Sequence, residues 1–227
     1  MITKYNYNDI MKLKHFLLIP LLVSSIWFFS CSREEPKILY GFMELVYYPG
    51  RTRPEERYSF FILPEDDDGI ENLDELYLYH DREGLRWLLS SEDWIRYDED
   101  GKTWIGSRHI SMLSGVPLPR GQYRAVLVNK GGERTERRFA FDGPVDSSYP
   151  FPSFSVSGGV YRVNSRYPVN RLLCYDQEGK IIQSVMITET EGSIRDLQLS
   201  ANVKTSALWA ENPEHRISAL TEAVELR

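Results

Sequence analysis

A succession of short runs rich in Tyr, Phe, Val and Ile, each closed by turn residues, constrains this chain more than any other feature. The first set comprises Ile38 to Tyr48, Arg57 to Leu63, Leu73 to His80, Leu85 to Leu89, Gln122 to Asn129 and Arg134 to Phe141. A second set follows: Val160 to Asn164, Leu172 to Asp176, Lys180 to Thr188, Ile194 to Leu199, Thr205 to Ala210 and Arg216 to Leu226. Aromatic and β-branched residues favour a pleated, half-buried surface, so these runs predict strands. Hairpin-length breaks favour a sandwich or barrel over a parallel sheet. Only 217–226 also admits a helix, because Ala219, Ala223 and Glu225 are poor strand formers. Three hairpins are legible at Asn129-Lys130-Gly131-Gly132, Asp176-Gln177-Glu178-Gly179 and Asp98-Glu99-Asp100-Gly101. In each, a glycine supplies the positive φ that a tight turn needs.

The segment from Asp142 to Ser153 reads DGPVDSSYPFPS and lacks strand alternation. Its glycine and prolines mark a semi-rigid connector and a domain boundary. The sequence therefore predicts an all-β chain with β-sandwich domains at 38–142 and 154–227 and a linker at 143–153.

The N-terminus has a different character. Lys12 and Lys14 precede an almost wholly apolar run from Phe16 to Phe29, which is short for a membrane span and suits the apolar region of a secretion signal. The run ends Phe28-Phe29-Ser30-Cys31. This resembles the lipobox of bacterial lipoproteins, with Phe28 and Phe29 where Leu and a small residue are usual. The resemblance implies a signal peptide over 1–30, removed to leave Cys31 acylated and inserted in a lipid membrane. Residues 31–37 would then be a short tether. Six extended residues reach about 20 Å, so the first domain would sit close to the headgroups. That favours an envelope protein as partner, and the periplasmic side over the cell surface.

A second resemblance concerns the fold. Leu118-Pro119-Arg120-Gly121-Gln122-Tyr123 leads into Arg124-Ala125-Val126-Leu127-Val128. This is similar to the tyrosine corner of immunoglobulin-like and fibronectin type III-like sandwiches, where a Tyr near the start of a strand bonds back to nearby backbone. It implies an immunoglobulin-like first domain, with Tyr123 closing its corner; strand spacing alone extends the sandwich reading to the second half, giving two immunoglobulin-like domains in tandem. The family's fold is silent on function.

Signals for chemistry are sparse. The formal net charge is −6, and removing residues 1–30 would take away more lysines than acids, so nucleic acid is not an expected partner. With Cys31 acylated, Cys174 has no disulfide partner; its setting in Leu172-Leu173-Cys174-Tyr175 makes it a small buried hydrophobe. His80, His109 and His215 lie far apart, at strand ends or turns, and read as solvent-facing. No H-E-x-x-H, C-x-x-C or G-x-S-x-G occurs. The acidic loops at Glu65–Gly69 and Asp98–Gly101 lack EF-hand spacing and read as solvated turns. The expectation is a non-enzyme with no cofactor and no metal.

The aromatics offer the remaining candidates. Trp94 and Trp104 flank the DEDG hairpin, where they could pair across strands or present a binding platform. The sequence thus points to a membrane-anchored envelope lipoprotein acting as a protein-interaction or scaffold module. A carbohydrate- or peptidoglycan-binding module is the alternative, and a hydrolase with an unrecognised site is a third. An apolar patch or unpaired sheet edge would favour the first, a flat row of exposed aromatics the second, and a cleft with paired carboxylates the third.

Overall fold

Period-two alternation is plain in several strands, while the strand Glu55–Glu65 is buried along both faces from Tyr58 to Pro64. In β3 (Leu73–His80), Leu76, Leu78 and His80 are buried while Tyr77 and Tyr79 are not. In β7 (Gly121–Asn129) the buried set is Tyr123, Ala125, Leu127 and Asn129. Alternate side chains of a strand face opposite sides, so such strands bury one face and leave the other for solvent or a ligand. The computed structural model describes residues 34–113, 116–143 and 150–226. Cys31 and the expected signal peptide lie outside them, as do residues 144–149 of the expected linker.

The first half pairs two sheets face to face. One runs β1 (Lys37–Tyr48), β2 (Glu55–Glu65), β6 (Lys102–Ile110), β5 (Ile95–Glu99). The other runs β4 (Leu85–Ser90), β3, β7, β8 (Arg134–Phe141). In the second half, β12 (Ile181–Met186), β11 (Val169–Tyr175), β14 (Thr205–Asn212) and β15 (Ile217–Leu220) form one layer, with β16 (Val224–Glu225) also paired to β14. A three-stranded sheet of β13 (Glu191–Ser193), β10 (Val160–Asn164) and β9 (Ser153–Ser157) accompanies it. The chain is all-β with sandwich-type sheets. The Asp100-Gly101 turn joining β5 to β6 has positive φ at both residues, 51° and 70°, the twist that a two-residue hairpin demands.

The halves are joined by more than the Pro/Gly segment. β15 pairs in parallel with β1, aligning Leu45 with Ile217 and Tyr47 with Ala219. The result is one nine-stranded sheet running from β12 through β1 to β5. The buried residues of both halves, among them Leu45, Phe60, Leu172 and Ile217, belong to one continuous cluster.

The corner expected at Tyr123 is present. Its hydroxyl donates to the Pro119 carbonyl at 2.6 Å, and the Tyr58 hydroxyl donates to the same oxygen at 2.9 Å. The two rings meet edge to face at 5.5 Å, and Tyr58 packs on Phe141 at 5.0 Å. Two sequence expectations are corrected. Ile194 to Leu197 is a 3-10 turn rather than a strand, with Ser193 Oγ accepting the Arg195 N–H as its cap. His80 is buried rather than solvent-facing; it packs on the Tyr123 ring at 4.8 Å. In 217–226 the strand reading holds over the helical alternative: β15 fills the place between β14 and β1, and β16 pairs with β14.

Candidate functional site

The outer face of the large sheet is set by the same alternation that builds the core. Along β1, Met43, Leu45 and Tyr47 point inward, so Phe42, Glu44, Val46 and Tyr48 point outward. Ser59 and Phe61 of β2 continue that face on one side. Leu220 of β15, Trp209 and Glu211 of β14, and Leu173 and Tyr175 of β11 continue it on the other. Where first-half and second-half strands meet, the face is concave and encloses about 550 Å³.

One wall is a packed aromatic group. Trp104 stacks on Tyr97, its cross-strand partner, with ring planes 5° apart and centroids at 6.3 Å. Phe42 lies 5.6 Å from both Trp104 and Phe61, and Phe61 meets Tyr97 edge-on at 5.2 Å. Close packing is possible because β6 carries glycine at 106, where a Cβ would fall 2.0 Å from the Phe60 carbonyl oxygen. Of the two tryptophans read as a cross-strand pair or a binding platform, only Trp104 joins this group. Trp94 is 6% exposed and belongs to the core. It lies in the turn before β5, its N–H bonded to the Ser90 carbonyl at 3.2 Å, and not on the strand that carries Tyr97.

The floor is polar. Glu44, half-buried in the middle of an apolar strand, accepts a hydrogen bond from Ser218 Oγ at 2.5 Å. Burial is the main cause raising its pKa above the ordinary carboxylate value; the nearby Glu211 charge adds to this, while the Ser218 bond and Arg108 pull it down. Glu211 is held in place by the Trp209 indole N–H at 2.7 Å and by Arg171 at 3.7 Å. Arg108, exposed on β6, stands at the rim. Sequence reasoning missed Glu44, Glu211, Arg108, Arg171 and Trp209 as a set. The available signal was a lone carboxylate inside Phe42-Met43-Glu44-Leu45-Val46, where alternation puts it on the outer face.

The remaining candidates take structural roles. Cys174 is fully buried, its thiol pKa pushed up by burial, and receives a weak bond from Ser206 Oγ at 3.4 Å. Asp66 Oδ1 accepts from the Asp68 N–H and Asn72 Nδ2, and Asp98 Oδ1 accepts from Thr103, so both acidic loops use carboxylates to close turns. Among the described residues no group of three or more His, Cys, Asp or Glu side chains could hold a metal ion.

Comparison with family models and with curated proteins finds no match. Similar solved structures include dimeric latent PorU from Porphyromonas gingivalis, at 13% identity and TM-score 0.34, over 86% of this chain and 20% of that one. Murine CEACAM1b is similar at 9% identity and TM-score 0.26, over 82% of this chain and 99% of that one. A structure of Dpr11 IG1 bound to DIP-gamma IG+IG2 is similar at 11% identity and TM-score 0.26, over 83% and 100%. This chain spans about a fifth of the PorU chain's length.

Proposed function

We propose that this chain is a non-catalytic interaction module of the bacterial cell envelope, tethered by lipid on Cys31, that holds an extended segment of a protein partner at the free edge and outer face of its large sheet. One observation carries the reading: the two ends of that sheet differ. β5, at one end, carries Arg96, Asp98 and Glu99, and charges of this kind discourage strand addition. β12, at the other end, reads Ile181-Ile182-Gln183-Ser184-Val185-Met186 and contains no charge and no proline. Among the described residues it pairs only with β11, and its one register irregularity falls at its start. Ile181 and Met186 are each 51% exposed. Main-chain groups on such an edge supply affinity for an added strand, and neighbouring pockets supply specificity. Ile181 and Ser184 also line the concavity, so edge and groove form a continuous surface.

The glycan alternative is less well supported. Sugar rings stack on open aromatic faces, whereas Phe42, Phe61, Tyr97 and Trp104 largely cover one another.

Two experiments test the proposal. A photo-crosslinking residue at Met186 of the full-length chain should yield a discrete polypeptide adduct in cells, and Ile182→Lys should reduce it at least several-fold. Adducts formed from position 96 on β5 but not from 186 would overturn the edge assignment. For the tether, Cys31→Ala should leave an unprocessed precursor and abolish incorporation of a fatty-acid analogue; unchanged labelling would refute acylation at that residue.

A further inference from the structure

The groove floor holds a carboxylate whose needs the protein meets only in part. Glu44 has one hydrogen-bond donor, the Ser218 hydroxyl, and among the described residues it makes no ion pair. Removing a carboxylate from water without a counter-charge is unfavourable, and a like charge beside it makes matters worse. Glu211 is that like charge, and its presence raises the Glu44 pKa. The groove's cations leave the deficit in place. Arg171 pairs with Glu211. Arg108 acts on Glu44 only through space, as the smallest of the causes shifting it.

The surroundings of this carboxylate also have a definite chemistry. Tyr175 and Trp209 line the concavity around it, and rings of this kind attract cations through their negative faces; Tyr48, also in the lining, already carries the Arg57 guanidinium 4.6 Å from its ring centroid. Leu173, Ile181 and Leu220 supply an apolar rim of the sort that accepts an aliphatic stem. A carboxylate floor, aromatic sides and an apolar mouth together suit a long side chain with a positive end. Arg108 offers an anionic ligand a cation at the rim, but such a ligand would also face Glu44 and Glu211, and a neutral sugar would leave the Glu44 charge uncompensated.

We propose that the concavity is a specificity pocket for a lysine or arginine side chain of the partner segment, with Glu44 as the counter-ion that receives its cationic end. This rests on the reading of β12 as the docking edge: a strand added there would run beside Ile181 and Ser184 and could direct one side chain into the groove. Glu44 would then have been left incompletely partnered in the free protein because its partner arrives with the ligand.

The test uses detergent-solubilised full-length protein labelled at its tryptophan indole nitrogens, with the Trp209 resonance assigned by Trp209→Phe. Nα-acetyl-arginine amide and Nα-acetyl-lysine amide are titrated in as probes. At least one should shift the Trp209 indole signal saturably. Glu44→Gln, which retains a carbonyl oxygen for Ser218, should weaken that response at least tenfold, and its unliganded spectrum reports whether it is folded. Nα-acetyl-glutamate amide and N-acetylglucosamine run as parallel arms. Saturable binding of either in preference to the cations would overturn the proposal, as would no response to the cations, or an equal response in Glu44→Gln. The outcomes separate the two readings. A Met186 adduct without a cation response sinks this inference alone, and a cation response without that adduct sinks the edge-docking reading alone.

Discussion

Replacing Tyr123 with alanine should produce a large loss of stability, about 4 kcal/mol in a urea melt. Three effects add. The ring is 1% exposed and lies between the Tyr58 and His80 rings, so its removal opens a cavity that β-sheet backbones on either side cannot close. Its apolar area returns to water. The hydroxyl that ties the strand back to Pro119 disappears. Tyr123→Phe isolates the last effect and should be mild, about 1 kcal/mol. The Pro119 carbonyl keeps the Tyr58 hydroxyl as a donor, so no buried acceptor is orphaned. Burial, together with the neighbouring Tyr58, also drives the Tyr123 pKa far upward, so its hydroxyl stays protonated and remains a donor. Comparable losses for the two substitutions would mean that the ring is not a packing element and that the corner bond accounts for the whole effect.

This corner shows which parts of the fold a single sequence exposes. Tyr123 was legible because its bond reaches back only four residues, to a proline whose neighbours spell the turn. The strands β3, β8 and β10 were legible for a similar reason: alternation and turn glycines are local, and their bounds agree with the pattern at every residue. The parallel pairing of β1 with β15 was not. It aligns Leu45 with Ile217, and no local rule tells one edge strand which other edge, far along the chain, will meet it. Trp94 shows a smaller version of the same difficulty. Its position near a hairpin was clear, but β5 begins only at Ile95, so a turn that closes on the Ser90 carbonyl, and not strand alternation, places its ring.

The candidate site was less legible than the fold because it is a product of that long-range pairing. Glu44 and Ser218 belong to strands at opposite ends of the described chain, and Glu211 and Arg171 come from two further strands. Each residue alone reads as an ordinary solvent-facing position. Only once β15 is inserted between β1 and β14 does the outer face acquire a carboxylate floor flanked by aromatic rings.

The second large effect is expected at Arg120. Its guanidinium grips Glu56 with two parallel bonds, Nη1 to Oε2 at 3.0 Å and Nη2 to Oε1 at 2.9 Å. The same Nη1 donates to the Leu118 carbonyl at 2.6 Å, while Glu56 Oε2 accepts the Leu118 N–H at 2.8 Å. The pair thus clamps the segment leading into the tyrosine corner onto β2. It is well shielded, with side-chain exposures of 17% for Arg120 and 7% for Glu56. A bidentate pair in such a setting has strong internal attraction but a large desolvation cost, so its net contribution is modest while either half alone is unfavourable. Arg120→Met should therefore lose about 3 kcal/mol, because it strands the Glu56 carboxylate away from water. Glu56→Gln should lose somewhat less, about 2 kcal/mol: the amide oxygen still accepts the Leu118 N–H, but the Arg120 charge loses its counter-charge and Nη2 meets an amide N–H in place of Oε1. The double variant Glu56→Leu with Arg120→Met removes both charges together and should recover much of what Arg120→Met loses. Urea melts of the three proteins decide the point. A double variant no more stable than Arg120→Met would show that the clamp acts through the shape and packing of the arginine over Phe141, 5.6 Å away, and not through the charge it leaves behind.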